Sequence, residues 1–262
     1  MKQTFRTFIA KIPLVKPLYR AAKRWLNFLG NPLARNLERQ AENNNPTMLN
    51  QTYYERRKDL FYYKKLKEIL MMVCRESDAI LDVGSYGIDM LSFLPCKTKK
   101  SIDLNTPYSD DETEGIIGDY LEYKTEHLDV VTCYQVLEHI DDDKVVRFAR
   151  KLLQDARMVI ISVPYVWPNG FCKWHRQDPV SVNKLISWFG KNPVCLYKVT
   201  EANGLSRMIA VFVDGYNPDV DLAYWEEDAA RTYVELIKRF ENQLKERGYW
   251  PLAADVFLKV NI

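Results

Sequence analysis

Gly84 and Gly87 stand just after a short apolar run, residues 79–83, and Asp103 follows about twenty residues past this turn. Those residue types at that spacing suit a nucleotide-like ligand. Glycine lets backbone approach a bound group, and a helix starting after the turn, at Met90-Leu91-Ser92-Phe93-Leu94, would add unpaired N–H donors. An acid at that distance is placed to accept hydrogen bonds from ribose hydroxyls. A second acid, Asp119, closes the stretch Gly115-Ile-Ile-Gly-Asp-Tyr120. A bare Gly-x-x-Gly also serves any tight strand-to-helix turn, and Asp103 also suits a turn before Pro107.

Proton transfer has few candidates, because the chain holds three histidines, His127, His139 and His175. His127 precedes a predicted strand and reads as an exposed loop residue. His175 lies in an irregular segment after the fifth predicted strand, over the predicted ligand edge. An unperturbed pKa near ~6.5 suits it to act as a general base at neutral pH. Substrate positioning and plain loop structure are the competing roles. Trp167, Phe171 and Trp174 in the same segment would either wall an acceptor or pack the insertion.

The elements that must position these residues follow from periodicity. Residues 53–74 carry apolar residues at helical spacing (Leu60, Tyr63, Leu66, Ile69, Leu70, Val73). Short apolar stretches at 79–83, 99–104, 115–120, 128–133 and 158–164 read as strands, with a short helical piece after Gln135 and a helix over 144–153. This alternation predicts an α/β fold with a doubly wound, mostly parallel sheet and ligands at the strand C-termini. A helix over 180–189, a closing strand pair at 194–199 and 207–213, and a long helix over 222–247 follow. Residues 254–262 suit a further strand. Residues 17–29 read as a basic amphipathic helix, and 40–50 as a polar linker.

Composition narrows the setting. The chain has 262 residues and a formal charge of +2, with eight Lys and Arg ahead of its first acid, Glu38. Five scattered cysteines without CxxC spacing favour reduced thiols in a cytoplasmic protein over a disulfide framework or a zinc site. Neither a membrane-spanning run nor a signal-peptide cleavage pattern is apparent. The basic helix over 17–29 suits either an anionic membrane surface, giving a peripheral position on its inner face, or packing on the protein body or a partner.

Four pieces in order, ILDVGSYG, SIDLN, GDYLEY and LDVVTCYQVLEHIDD, resemble the Rossmann-like class I S-adenosyl-L-methionine-dependent methyltransferases. The resemblance is to the broad small-molecule group that includes ubiquinone-type O-methyltransferases, over residues 55–213. It implies a seven-stranded sheet with helical N- and C-terminal extensions: residues 1–50 the basic extension and linker, 51–215 the core, 216–262 a helix and tail. It implies that Asp82 supports the turn while Gly84, Ser85 and Gly87 lie against the methionine portion of the cofactor. Asp103, with Leu104 beside it, would hold the ribose; Asp119 and Tyr120 would contact adenine; Tyr134 and Gln135 would border the sulfonium. Tyr86 and Ile88 stand where the family often writes glycine. Some relatives bind a divalent metal through Glu-x-x-Glu-His, but Gln135 occupies the first place here, and an amide is a poorer ligand for a hard cation. No metal is therefore expected, and Glu138 and His139 are assigned supporting or helix-capping roles. The implied activity is O-methylation of a small-molecule, glycan or lipid-linked acceptor. The alternative is a non-catalytic cofactor-binding or scaffold protein. Nucleic-acid methylation is disfavoured, since Tyr134-Gln135-Val136-Leu137 replaces the Asn-Pro-Pro-Tyr-type tetrapeptide of base-flipping enzymes.

Overall fold

The computed structural model describes residues 54–249 apart from Arg56. The expected basic helix over 17–29, the linker at 40–50 and the strand over 254–262 lie outside the described residues. Within them the order is α1 (Phe61–Val73), β1 (Ala79–Val83), β2 (Thr98–Asp103), β3 (Thr113–Ile117), β4 (Leu128–Tyr134), a 3-10 turn (Leu137–His139), α2 (Asp142–Asp155), β5 (Ala156–Pro164), α3 (Val182–Phe189), β6 (Cys195–Thr200), β7 (Ser206–Val213) and α4 (Leu222–Glu246). The seven strands form one sheet in the order β3-β2-β1-β4-β5-β7-β6. β7 runs antiparallel to both of its neighbours, while β1 to β5 pair in parallel.

Alternation along the central strands sends side chains to two separate cores. Leu81, Val83, Val131, Cys133, Val159, Ile161 and Phe212 face one side, which is completed by α2, α3 and α4. Ile80, Val130, Ile160, Ile209 and Val211 face the other, which is completed by α1. A strand buried on both faces needs apolar residues at every position, which is why these strands read as unbroken runs.

The segment after the glycine turn corrects the expected helix. Residues 84–97 contain only turns and bends. Asp89 Oδ1 accepts from the N–H groups of Leu91 and Ser92, at 3.2 and 2.9 Å, and closes one turn. Pro95, which disfavours helix at the residue before it, prevents another. The apolar residues still do what a helix would have done: Ile88, Met90, Leu91, Phe93 and Leu94 are buried against α1 and the sheet.

Each helix near the site has an identifiable stop or start. Leu60 offers α1 no side-chain cap; instead Glu201, in the β6–β7 hairpin, accepts from Phe61 N and Tyr62 N at 2.8 and 3.0 Å. Ser181 Oγ accepts from Lys184 N at 3.2 Å to start α3, and Gly190 ends it in the left-handed region, with φ of 65°. The anticipated apolar side of α4 is largely buried at Ala229, Tyr233, Leu236 and Ile237, but Tyr224 is exposed and Phe240 departs from helical backbone.

Candidate functional site

The strand order reverses its direction of growth between β1 and β4: β2 and β3 lie to one side, β5 to the other. Such a switch point opens a crevice at the strand C-termini. Here the glycine turn and the β2 acid meet. Asp103 Oδ2 accepts from Tyr86 N at 3.1 Å, while Oδ1 accepts from Asn105 N and Thr106 N, each at 2.9 Å. Leu104, Ile117 and Tyr86 are exposed there by 64%, 62% and 47%, large apolar surfaces beside a half-buried carboxylate. Ile117 pairs in register with Asp103 and was not singled out from sequence, where it is one of several apolar residues in an edge strand.

The glycines serve packing as well as any ligand. Gly84 has φ of 77°, and a Cβ on it would stand 2.4 Å from Val136 Cγ2, so the chain leaving β4 fills that space. Gly84 N, Tyr86 N and Ile88 N donate to Ile102 O, Asp103 Oδ2 and Ser85 O. Two of these three donors are taken by β2 and one by the turn itself, and residues 84–97 form no helix whose N-terminus would supply others. Gly87 is also left-handed, with φ of 71°. Ser85 is buried, and its hydroxyl accepts from Tyr108 N at 2.9 Å. Asp82 is buried at the end of β1, where Thr132 Oγ1 donates to it at 2.6 Å; burial raises its pKa to about 7. Asp119 is exposed, and Tyr120 turns inward, donating its hydroxyl to Asp155 at 2.7 Å against Phe148.

Among the described residues, three other than glycine have positive φ: Tyr86 after β1, Gln135 after β4 and Val166 after β5, at 48°, 56° and 47°. Such backbone is costly for side chains with a Cβ, most of all for a β-branched one. All three stand just past the C-termini of neighbouring strands. Tyr134 is half-buried beside Gln135. The Gln135 side chain donates to Ser162 Oγ at 3.2 Å and accepts from Arg207 Nε at 3.0 Å.

Beyond Gln135 lies a second group that was not anticipated as a unit. Glu138, His139 and His175 bring one ligand atom each within 4.8 Å of one another. Glu138 is 1% exposed, and neither of its carboxylate oxygens has a hydrogen-bond partner. Burial raises its pKa to about 8, and the nearby Asp178 adds to that rise. His139 Nδ1 lies 3.1 Å from Trp174 O, and His175 Nδ1 lies 2.7 Å from Asp178 Oδ2. Trp167 stacks on His175 with ring centroids 5.6 Å apart, so Trp167 supports the imidazole, while Trp174 is exposed. Phe171 packs between Trp167 and Phe240 of α4. The insertion is tied down by Arg176 N and Gln177 N, which both donate to Glu138 O, at 2.7 and 3.2 Å. His127 is exposed, as expected, and its Nδ1 lies 3.1 Å from Gln154 O.

Sequence reasoning missed Asp178, Arg207 and Glu201. His175-Arg-Gln-Asp178 is a short spacing that a turn can close, and that was the available signal for Asp178. Arg207, a cation opening an otherwise apolar strand, is buried with its guanidinium over the Tyr62 and Trp167 rings, at 4.4 and 5.1 Å.

No protein-family model matches the chain, and neither does any curated protein. Solved structures do resemble it. One is the N-methyltransferase NodS from Bradyrhizobium japonicum WM9 in complex with S-adenosyl-L-homocysteine, at 14% identity and a TM-score of 0.47, covering 60% of this chain and 86% of that one. Another is the Burkholderia thailandensis 1,6-didemethyltoxoflavin-N1-methyltransferase with bound 1,6-didemethyltoxoflavin and S-adenosylhomocysteine (14%, TM-score 0.48, 64% and 85% covered). A third is TrmK from M. capricolum in complex with S-adenosyl-homocysteine (12%, TM-score 0.47, 77% and 95% covered). These are likenesses of chain path.

Proposed function

We propose that this chain is an S-adenosylmethionine-dependent methyltransferase acting on a hydroxyl of a small-molecule, glycan or lipid-linked acceptor. The observation that carries the reading is the junction of glycine turn and β2 acid at the switch point, where Tyr86 N donates to Asp103 Oδ2 at 3.1 Å. A carboxylate there can accept from ribose hydroxyls, and the exposed faces of Tyr86, Leu104 and Ile117 can cover a purine. S-adenosylmethionine, when bound, supplies a methyl group on a positively charged sulfur that needs no further activation. The chain's own task is to align the acceptor and remove its proton. His175 is the group for that removal: its Nδ1 is bonded to Asp178, which leaves Nε2 to take a proton.

The Glu138 carboxylate supports a second reading of the same group. A buried carboxylate without a partner is costly, and two imidazoles beside it complete a three-donor set for a divalent cation of the zinc or manganese type. A cation held by Glu138, His139 and His175 would orient an acceptor hydroxyl and favour its ionised form.

Isothermal titration with S-adenosylmethionine and S-adenosylhomocysteine tests the first reading. Binding in the micromolar range, weakened at least about tenfold in Asp103→Ala, is expected when a charged hydrogen-bond acceptor is removed. A folded wild-type protein that binds neither compound overturns methyl transfer and leaves the scaffold alternative. The same titration with Mn²⁺ tests the second reading, which fails if Glu138→Gln binds the ion as the wild type does.

A further inference from the structure

The two histidines beside Glu138 share one feature: each has Nδ1 against an oxygen acceptor. For His139 that acceptor is a backbone carbonyl, Trp174 O at 3.1 Å. A carbonyl accepts only, so His139 carries its proton on Nδ1 and leaves Nε2 bare. For His175 the partner is Asp178 Oδ2 at 2.7 Å, with the Asp178 side chain 1% exposed. An ionised carboxylate has the same consequence for His175.

We infer that Asp178 is a positioning residue: with the Trp174 carbonyl, it fixes both imidazoles as Nδ1–H tautomers, so that their Nε2 lone pairs are the ones left for the ligand that Glu138 faces. This rests on the reading of that group as the acceptor or cation site, and it serves both versions, since a general base and a metal ligand each need a bare nitrogen. The segment carrying Asp178 is built for precision of placement. Gln177 Nε2 donates to Ile140 O and Asp142 Oδ1 at 2.8 and 2.7 Å, and Lys184 Nζ donates to Gln177 O at 2.5 Å. Trp167 covers one face of the His175 ring, and the His139 ring meets it edge-on at 4.9 Å. With the ring plane set by these neighbours, the remaining freedom is which nitrogen bears the proton, and Asp178 decides that. A carboxylate behind an imidazole also raises its strength as a donor, and loss of such a partner lowers cation affinity about 10- to 100-fold where a cation is bound.

The competing arrangement is a protonated Asp178 donating to a bare Nδ1, with the proton of His175 on Nε2. Imidazole ¹⁵N spectra separate the two, and with three histidines in the chain the resonances are assignable by single substitutions. At pH 7.5 or so, above the usual histidine range, the wild type is expected to show His139 and His175 both as Nδ1–H. Asp178→Ala should move His175 toward the Nε2–H form, and so should Asp178→Asn, whose amide N–H₂ can donate to Nδ1 where the carboxylate only accepts. His127, far along the sheet, reports whether the fold is intact and should not change. An Nε2–H His175 in the wild type, or a tautomer indifferent to Asp178→Ala in a folded variant, overturns the inference. S-adenosylhomocysteine binding on the same samples keeps the two readings apart: its absence beside an Asp178-dependent tautomer removes methyl transfer, whereas its presence beside an indifferent tautomer removes only the role of Asp178.

Discussion

At the end of β1 the carboxyl of Asp82 has almost no access to water, and burial is the main reason its pKa rises to about 7; Thr132 donation opposes the rise, and Asp103 and Asp89 add to it. An acid raised in the folded state binds more protons there than in the unfolded chain, where it titrates near ~3.9. From about pH 4 to about pH 7 the folded form therefore loses stability as pH rises, by on the order of a few kcal/mol from this group alone. Asp82→Asn keeps an oxygen for Thr132 and removes the charge. Its unfolding free energy is expected to gain on the wild type across that window and to run parallel above it. Urea unfolding at pH 5 and pH 8 checks this, and a difference that stays constant between the two would show that Asp82 does not titrate in this window. Asp82 was identifiable from its place before the glycines; its surroundings were not, because they include β4, whose Thr132 donates to it from 50 residues further along the chain. Asp178 escaped for a different reason: its partner His175 is only three residues away, but the pair lies in an insertion without periodicity, where a short polar spacing does not by itself mark a turn.

Elements show what periodicity does and does not carry. Ile88, Met90, Leu91, Phe93 and Leu94 have helical spacing and are buried, yet the backbone between β1 and β2 is not helical. Apolar spacing reports which residues seek the core; the backbone that delivers them also depends on Gly87, on Asp89 closing a single turn and on Pro95 ending it. In α2, α3 and α4 the expected elements appear within a few residues of their places. α1 depends on a distant acid. Glu201 accepts from two N–H groups of its first turn and stands 3.7 Å from the buried Arg207 guanidinium. Glu201→Ala leaves two helix donors without that acceptor and removes a charge partner from a buried cation, a combination that costs about 3–5 kcal/mol. Glu201→Gln retains an acceptor and should fall between Ala and wild type. Denaturant midpoints rank the three; equal midpoints for Gln and Ala would mean that the charge, and not the cap, holds α1.

On the scale of the molecule, both cores share the sheet: each central strand sends alternate residues into one core or the other, so neither side can lose its packing while the strands persist. On the proposed reading, a ligand at the switch point would touch the ends of β1, β2 and β3 on one half and of β4 on the other, and its binding energy should appear in the unfolding of the whole body. The topology was legible because alternating strand and helix lengths leave few ways to wind a parallel sheet, and the antiparallel pairing of β7 with β6 follows from the short hairpin between them. The acceptor was not legible, because the insertion that would contact it on the proposed reading has no periodicity. The prediction is quantitative for the cofactor. S-adenosylhomocysteine at a hundred times its dissociation constant stabilises the form that binds it by about 2.7 kcal/mol. For a body of this size that corresponds to a rise of roughly 5–10 °C in the unfolding midpoint. One cooperative transition should shift as a unit, and Asp103→Ala should remove most of the shift at the same ligand concentration. A shift confined to part of the transition would mean that the ligand reads one half of the sheet and does not bridge the crevice between β1 and β4.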